Sequence, residues 1–243
     1  MKHDSLQLNS ETVRYEVIHR PRVTRRIHLE IDPRGGLRVV APKRMSRRTI
    51  HRALQARAVY VARFLEQARS RQQDLKVLTW SSGEEHFFMG VKLRLAVDEQ
   101  PGQRSSVRVD DGQLHVEVPD LAPGRVSRLL ARWYRQQAQQ QFSGRLEHYS
   151  SLACWTGDKT PPMRLRRMKR TWGSCSSRGV ITLNPHLVKA PAECMDYVIA
   201  HEICHLKEHN HGRAFYVLQE QLYPAWREAK ALLRNQGHLY LHC

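Results

Sequence analysis

The sequence predicts an α+β protein in which a strand-rich N-terminal half is followed by a mainly helical half. Short runs rich in β-branched residues, such as VRYEVI, LRVVA and VKLRLAV, alternate with turn residues up to about residue 120. Beyond that point apolar residues recur every three or four positions, which is typical of amphipathic helices. We therefore expect a basic, strand-rich region 1–120 with one helix and a helical region 121–243, separated by a soft boundary.

The N-terminal region is expected to begin with strands and to continue with its helix. VRYEVI, RRIHLEI and LRVVA lie between residues 13 and 41, and the turn sequence DPRGG separates the last two. The helix follows Ser46, a residue type that caps helix N-termini. Its apolar positions recur at helical spacing at Ile50, Leu54, Ala58, Val61 and Leu65. Its other face carries Arg47, Arg48, Arg52, Arg57 and Arg63. A charged face of this kind is ordinarily exposed to solvent, and binding to nucleic acid is the functional alternative.

Further strands and then long helices are predicted in the rest of the chain. FFMG, VKLRLAV, SVRVD and QLHVEV read as strands, and Asp111-Gly112 is a favoured hairpin turn between the last two. One long helix is expected from about Val126 to Tyr149. RLRRM and VITL are expected to form a small antiparallel sheet around the TWGSCSSRG loop. Helices opening at Pro191 and covering 213–222 and 225–235 complete the prediction, and no internal repeat is evident.

Charge and cysteine content limit the class of protein. The formal net charge of +17 and the pI near 10.2 favour a polyanionic partner such as nucleic acid or nucleotides. The five cysteines form no CxxC pair, which argues against a zinc ribbon or a thioredoxin-type motif. The polar first ten residues do not resemble a secretory signal, and no apolar run approaches the roughly 20 residues of a membrane span. We therefore expect a cytoplasmic protein without a membrane partner.

The sequence His201-Glu202-Ile203-Cys204-His205 is the strongest chemical signal in the chain. On a helix, residues four apart lie about 5–6 Å from each other on one face, so both imidazoles can bind one metal ion. Glu202 projects about 100° away around the helix and can instead accept a proton from a water held beside the metal. Apolar neighbours such as Val198 and Ile199 indicate that this helix enters a core. The pattern favours a zinc-dependent hydrolase over two surface histidines.

A catalytic zinc site needs a third protein ligand, and the candidates are Glu208, His209, His211 and Glu220. His209 lies about 12 Å from His201 along a regular helix, which is too far for a shared ion. His211 fits if the helix breaks at Asn210, a residue type that tolerates the left-handed conformation. We prefer His211 and retain Glu220, which would give a two-histidine, one-glutamate site.

Two segments resemble a known family. RRMKRTWGSCSSRGVITLNPHLVKAP and DYVIAHEICHLKEHNHGRAFY are similar to the YgjP-like metallopeptidase domain, which is grouped with SprT-like and Wss1-like proteins. The resemblance covers most of the chain. It implies a zincin-like catalytic domain and a peptide or protein substrate. It also implies one Zn²⁺ ion held by His201, His205 and His211, with Glu202 as the general base.

Several residues are candidates for substrate contacts. Val180–Asn184 is expected to pair with an extended peptide, as strands beside the metal do in zinc peptidases, although a plain core-edge strand has the same pattern. Cys175 and Cys204 are expected to pack near the metal without binding it. The remaining candidates are basic, aromatic or amide side chains around the motif: Arg166, Lys169, Arg170, Trp172, Asn184, Tyr197 and Arg213.

Three functions remain open from the sequence. The first is a zinc metallopeptidase. The second is a metal-dependent nucleoside triphosphate pyrophosphohydrolase, suggested by the cationic run before Trp172. The third is a nucleic-acid-associated protease or binding protein, suggested by the net charge and the arginine-rich helix. The sequence leaves the oligomeric state open.

Overall fold

The computed structural model describes residues 3–8, 11–21, 26–32, 35–74, 78–157, 159–169 and 171–241. The chain divides into two compact units, Met1–Lys76 and Val77–Cys243. Within the described residues it contains six α-helices and three small sheets. The α+β class predicted from the sequence is therefore confirmed.

The first unit is a four-stranded sheet followed by two helices. Its strands are β1 (His3–Leu8), β2 (Glu11–Arg20), β3 (His28–Ile31) and β4 (Leu37–Pro42), in the order β1-β2-β4-β3. β2 and β4 are parallel, and the two outer pairs are antiparallel. Alternate side chains of the strands face one core, as the two-residue period of a strand requires. Part of the predicted DPRGG turn, residues 33 and 34, lies outside the described residues.

The single helix expected after Ser46 is two helices, α1 (Arg47–Gln55) and α2 (Ala58–Asp74). Ser46 caps α1 as predicted, because its hydroxyl accepts a hydrogen bond from the Thr49 amide at 3.2 Å. The helix is interrupted where the Arg57 amide donates a hydrogen bond to the carbonyl of Leu54, three residues earlier. This bond closes a tighter turn than the four-residue spacing of an α-helix. This turn lets the apolar residues of both helices reach the same core.

The second unit opens with a sheet of the same strand order. β5 (Glu85–Phe88), β6 (Val91–Glu99), β7 (Ser106–Asp110) and β8 (Gln113–Val118) are arranged as β5-β6-β8-β7, with a parallel central pair. Asp111 and Gly112 both have positive φ, as the predicted hairpin turn requires. The helix α3 (Arg125–Leu152) follows, and its Leu130 and Phe142 share a core with Leu114 of β8. The soft boundary expected near residue 120 thus falls inside this unit.

A third sheet is built from three short strands near the histidine motif. β9 (Met163–Leu165), β10 (Gly173–Cys175) and β11 (Ile181–Leu183) have the order β10-β11-β9. β10 and β11 are antiparallel, but β11 and β9 are parallel, so the predicted antiparallel sheet is mixed. β9 and β10 lie on opposite sides of β11 in this sheet.

Three helices complete the second unit: α4 (Ala192–Cys204), α5 (Arg213–Leu222) and α6 (Trp226–Leu241). α5 has the predicted bounds, and α6 extends six residues beyond the predicted end at 235. Among the described helices, none is long and apolar enough to cross a membrane.

Candidate metal centre

The first two histidines lie at the C-terminal end of α4, a core helix. Met195, Ile199 and Ile203 of this helix are completely buried and share one face, so packing of that face fixes the position of the helix. His201 lies in the last turn, and His205 is the C-cap residue. The indole of Trp155 donates to the carbonyl of Ile203 at 3.1 Å and so satisfies one of the terminal carbonyls of the helix.

The chain folds back after α4 and returns His211 to the motif. α4 ends at Cys204, several residues before the break expected at Asn210. The Glu208 amide closes the last turn on the Cys204 carbonyl at 2.9 Å, and the Gly212 amide bonds the Asn210 carbonyl at 2.8 Å. Asn210 is not among the described residues with positive φ, so the expected left-handed break is wrong. Hydrogen-bonded turns over 205–212 achieve the same reversal.

The three imidazoles converge. The candidate ligand atoms of His201, His205 and His211 all lie within 4.8 Å of one another. The Nε2 atoms of His201 and His211 are 3.0 Å apart, close to the ~3.3 Å between two nitrogens that bind one tetrahedral ion at 2.0–2.1 Å. All three rings pack around the buried Phe215 of α5, with ring centroids at 4.8, 4.7 and 4.6 Å.

Hydrogen bonds orient two of the rings. Nδ1 of His201 lies 3.1 Å from Oε1 of Gln219, and Nδ1 of His205 lies 2.9 Å from the carbonyl oxygen of Glu208. Because both partners are acceptors, we assign the proton of each neutral ring to Nδ1. The lone pair of each Nε2 is then free for a cation, which is the arrangement that metal-binding histidines use.

Burial keeps these imidazoles uncharged. It is the main cause that lowers the pKa of His201 to about 3, and the neighbouring His205 and His211 add to the effect. Burial also lowers the pKa of His205. Since a cation binds only the neutral ring, the site is ready for a metal without releasing protons from these two side chains near neutral pH.

Glu202 is a buried carboxylate beside the histidines. Its residue is only 4% exposed, and its Oε2 atom is buried without a hydrogen bond to any described residue. Burial raises the pKa of Glu202 to about 8. A cation next to it would favour the charged form and lower that pKa again. A buried oxygen without a hydrogen-bond partner lowers the stability of the folded protein, and such an atom is typical of a group that interacts with a bound molecule.

The edge strand β10 lies directly against this carboxylate. A Cβ atom built on Gly173 would be 2.5 Å from Oε1 of Glu202, so the backbone approaches the side chain more closely than any other residue allows. β10 is at the edge of its sheet and β11 is in the centre. The expectation that Val180–Asn184 presents a free strand edge to substrate is therefore wrong, and the described strand edge beside the site belongs to β10.

Comparison with known protein families matches residues 25–236 to the YgjP-like metallopeptidase domain. The chain belongs to this family. Family membership makes it a metal-dependent peptidase. Comparison with curated proteins gives no match. Among solved structures, the chain is similar to the metallopeptidase zymogen abylysin of Pyrococcus abyssi, with 30% identity over 40% of this chain and 94% of that chain and a TM-score of 0.34.

The three other candidate ligands of the YgjP-like chain, Glu208, His209 and Glu220, lie outside the histidine cluster. Glu220 accepts hydrogen bonds from the Trp226 indole at 2.8 Å and from the Arg227 guanidinium at 2.5 Å, so its carboxylate is engaged elsewhere. His209 is exposed and is not part of the group. His211 is the third member, as preferred from the sequence.

Asn184 is buried in the protein, and Trp172 is half-buried against its core. Asn184 is completely buried, and its amide donates to the carbonyls of Met168 at 2.8 Å and Thr171 at 3.3 Å. It thereby anchors the segment before β10, and direct contact with a substrate is not expected. The Trp172 ring packs on α6, where a Cβ on Gly237 would be 3.0 Å from it.

The other candidate substrate contacts differ in position. Tyr197 is half-buried with its ring centroid 5.7 Å from that of His201, and burial, followed by the nearby Tyr216 and Glu202, raises its pKa to about 12. It therefore remains a protonated hydrogen-bond donor. Arg166, Lys169 and Arg213 are exposed, and Arg170 lies outside the described residues.

The two cysteines near the motif are not part of the histidine group. Burial raises the pKa of the Cys204 thiol to about 12. Burial also raises the pKa of the Cys175 thiol, and the charge of Glu202 adds to the shift, which places Cys175 beside that carboxylate. Protonated thiols are poor metal ligands, so both behave as packing residues.

Sequence reasoning missed Phe215, Gln219 and Gly173. Phe215 and Gln219 are four residues apart and share the face of α5 that meets the histidines. In the sequence, only their spacing of four and eight residues after His211 points to a place beside the histidines, because neither residue type by itself indicates a metal site. Gly173 stands in a loop-like sequence, where its close approach to Glu202 cannot be inferred without coordinates.

Proposed function

We propose that this chain is a zinc-dependent peptidase in which His201, His205 and His211 hold one Zn²⁺ ion and Glu202 is the general base. The convergence of three imidazoles beside one buried carboxylate carries the proposal. Neutral imidazole nitrogens suit zinc, and three protein ligands leave one coordination position open.

Each side chain then has a defined task. Zinc, when bound, acts as a Lewis acid that lowers the pKa of a water molecule and polarises the scissile carbonyl. Glu202 accepts a proton from the attacking water and passes it to the leaving nitrogen. Burial of Glu202 strengthens this exchange, because electrostatic interactions are stronger away from bulk solvent.

In this proposal, the edge of β10 orients the peptide substrate. An extended peptide that pairs with β10 would continue the sheet and would gain main-chain hydrogen bonds independent of its sequence. Because Gly173 lies against Glu202, a peptide held at that edge passes close to the carboxylate. The half-buried Tyr197 can donate a hydrogen bond to charge that develops on the carbonyl oxygen.

The immediate surroundings favour an amide over a phosphoanhydride. The groups that contact the histidine rings are neutral: Phe215, Gln219, Tyr197 and Tyr216. Glu202 is buried next to His201 in the chain, and the charge of Lys230 helps to lower the pKa of His201. A carboxylate beside the reacting centre repels a polyphosphate and does not repel a neutral peptide bond. The exposed Arg166 and Lys169 motivate nucleoside triphosphates as the competing substrate to be tested.

The proposal is tested by assaying purified protein on casein, on quenched fluorescent peptides and on nucleoside triphosphates, with and without a chelator. Glu202→Gln is expected to reduce peptide cleavage by about 10²–10⁴-fold while zinc content stays unchanged. Glu193→Gln, at an exposed position in the first turn of the same helix, is the matched control and should retain activity. Full activity of Glu202→Gln, or turnover of nucleotides alone, would refute the proposal.

A further inference from the structure

The first unit carries a large excess of positive charge. Its sequence contains 18 Lys and Arg residues against 7 Asp and Glu. Four of the acidic residues already pair with arginines of the same unit: Glu30 with Arg20, Glu16 with Arg38, Asp4 with Arg47 and Glu11 with Arg69. The remaining arginines therefore have few internal anions available.

Several cations of this unit make no ion pair with any described residue. They lie in both helices and in the segments that precede β3, α1 and α2, at Arg26, Arg44, Arg48, Arg52, Arg57 and Arg63. A set of neighbouring unpaired cations creates a positive potential that attracts an anionic partner. Two members of the set, Arg26 and Arg57, also line a groove.

This groove has a volume of about 640 Å³ and lies where α1 gives way to α2. Its floor consists of aliphatic side chains from the sheet edge and both helices, namely Ile27, Leu29, Met45, Leu54 and Val61. The volume is within the range of ligand pockets and accommodates several apolar side chains. Met45 adds a side chain that adapts to different partners.

The rim of the groove joins apolar and cationic surface. Tyr60 lines it and is 62% exposed, and the adjacent Val59 is 82% exposed. Exposed apolar side chains that continue into a groove are typical of interaction sites. The groove lies at the break between α1 and α2. In the second unit, the same strand order is followed by the single unbroken helix α3.

We propose that this groove binds an amphipathic acidic peptide segment of another protein. Apolar side chains of one helical face would fill the aliphatic floor, and flanking Asp or Glu residues would pair with Arg26 and Arg57. Charge complementarity selects an acidic partner, and the floor requires that partner to supply apolar anchors. The groove belongs to the first unit and the histidines to the second, and the proposed binding does not depend on the chemistry of the histidines.

The floor argues against a nucleic-acid strand as the occupant. Single strands are bound by stacking platforms of aromatic rings beside a cationic track. Among the described residues that line the groove, Tyr60 at the rim is the sole aromatic one, and the floor side chains are branched or flexible aliphatics. An irregular aliphatic surface matches leucine-like side chains better than the flat faces of bases.

Fluorescence anisotropy with the full chain tests the proposal. The probe is a labelled 16-residue peptide with Leu at helical i, i+3, i+4 and i+7 spacing and Glu at its exposed positions. The controls are the same peptide with Ser for Leu, the same peptide with Lys for Glu, and a 16-nucleotide oligothymidine. The protein carries Glu202→Gln so that the probe stays intact. The acidic Leu peptide is expected to bind at least about tenfold more tightly than each control.

Variants locate the binding at the groove. Arg57→Glu and Tyr60→Ala, at its rim, should each weaken binding by about tenfold or more. Arg48→Glu is the matched control, because it makes the same charge change on exposed α1 outside the groove. It should change affinity by less than about threefold, the effect of a remote charge.

Four outcomes overturn the proposal. The first is equal weakening by Arg48→Glu and Arg57→Glu, which would show diffuse attraction without a groove. The second is tighter binding of oligothymidine with a steep salt dependence, which would assign the surface to nucleic acid. The third is concentration-dependent dimerisation that Tyr60→Ala abolishes, which would assign the groove to a second copy of the chain. Failure of the acidic peptide to bind contradicts the proposal directly.

Discussion

The carboxylate of Glu202 and the backbone of Gly173 are in direct contact: a Cβ atom on Gly173 would be 2.5 Å from Oε1 and 2.7 Å from Cγ of the glutamate. This contact joins the edge strand β10 to the helix that bears two of the histidines. It limits where the carboxylate can lie, and it brings a strand edge to the same place. Position 173 therefore affects both the base and the proposed peptide track.

Gly173→Ala should impair catalysis without removing the metal. The added methyl group must displace the Glu202 side chain, and a misplacement of about 1 Å can cost about 10²-fold in rate. We expect kcat for peptide cleavage to fall by that order while zinc content is unchanged. Gly144→Ala in α3 is the control, because nothing lies within 4 Å of its Cβ. Unchanged kcat in Gly173→Ala would show that the carboxylate has room to move.

Gln219→Leu should weaken zinc binding. Gln219 is completely buried, and its Oε1 accepts the hydrogen bond that orients His201. Loss of such a partner typically lowers metal affinity by 10–100-fold. Competition with a fluorescent zinc chelator measures the change, and Gln221→Leu on the exposed side of α5 is the matched control. Equal affinities in the two variants would remove Gln219 from the site.

Asn184→Ala should lower stability and leave KM unaltered. The substitution removes the donor to the Met168 and Thr171 carbonyls and the acceptor of the His186 amide, all at a buried position. Buried groups left unpaired cost about 1–3 kcal/mol in the free energy of unfolding. Urea denaturation measures the loss against Asn235→Ala, an exposed position on α6. Full stability combined with a raised KM would restore Asn184 as a substrate contact.

Acid should destabilise the second unit through His86. Burial, followed by the charge of Lys189, lowers the pKa of His86 to about 4 in the folded state. The unfolded chain then binds more protons between about pH 4 and pH 6.5, so stability is complete above that range and is lost as the pH falls. From pH 8 to pH 5 the loss from this residue is about 2 kcal/mol.

His86→Phe removes that contribution. Chemical denaturation at pH 8 and pH 5 should show a smaller pH-dependent loss of stability for the variant than for the wild type. Phe keeps a ring of similar size beside Trp80, whose ring centroid lies 5.6 Å from that of His86. An identical difference between the two pH values in both proteins would show that His86 is not held neutral by burial.

Local patterns in the sequence predicted much of the fold and the centre of the site. The three-to-four-residue spacing of α3 and α4, the Ser46 cap and the Asp111-Gly112 turn each depend on neighbouring residues, and each is present in the structure. The convergence of His211 with the motif also follows from a local reversal. The exact turn was not predictable, because several hydrogen-bonded conformations bring residue 211 back equally well.

Features that depend on distant contacts were missed. β11 lies at the centre of its sheet because β9 and β10 flank it, an arrangement that the sequences of three-residue strands do not encode. Apolar residues keep their three-to-four-residue spacing across the break between α1 and α2, so this spacing alone predicts one continuous helix. The first two sheets share their strand order and the burial pattern of their strands, but little of their amino-acid sequence. For this reason no repeat is evident in the sequence.

Zinc content of purified variants tests the central claim most directly. Wild-type protein, His211→Ala and His209→Ala are dialysed against the same buffered zinc, and the metal is measured by elemental analysis. The neighbouring exposed His209 lies outside the histidine cluster and provides the matched control. We expect about one zinc per chain in the wild type and in His209→Ala and much less in His211→Ala. Equal zinc in His211→Ala and the wild type would contradict a site built from three imidazoles.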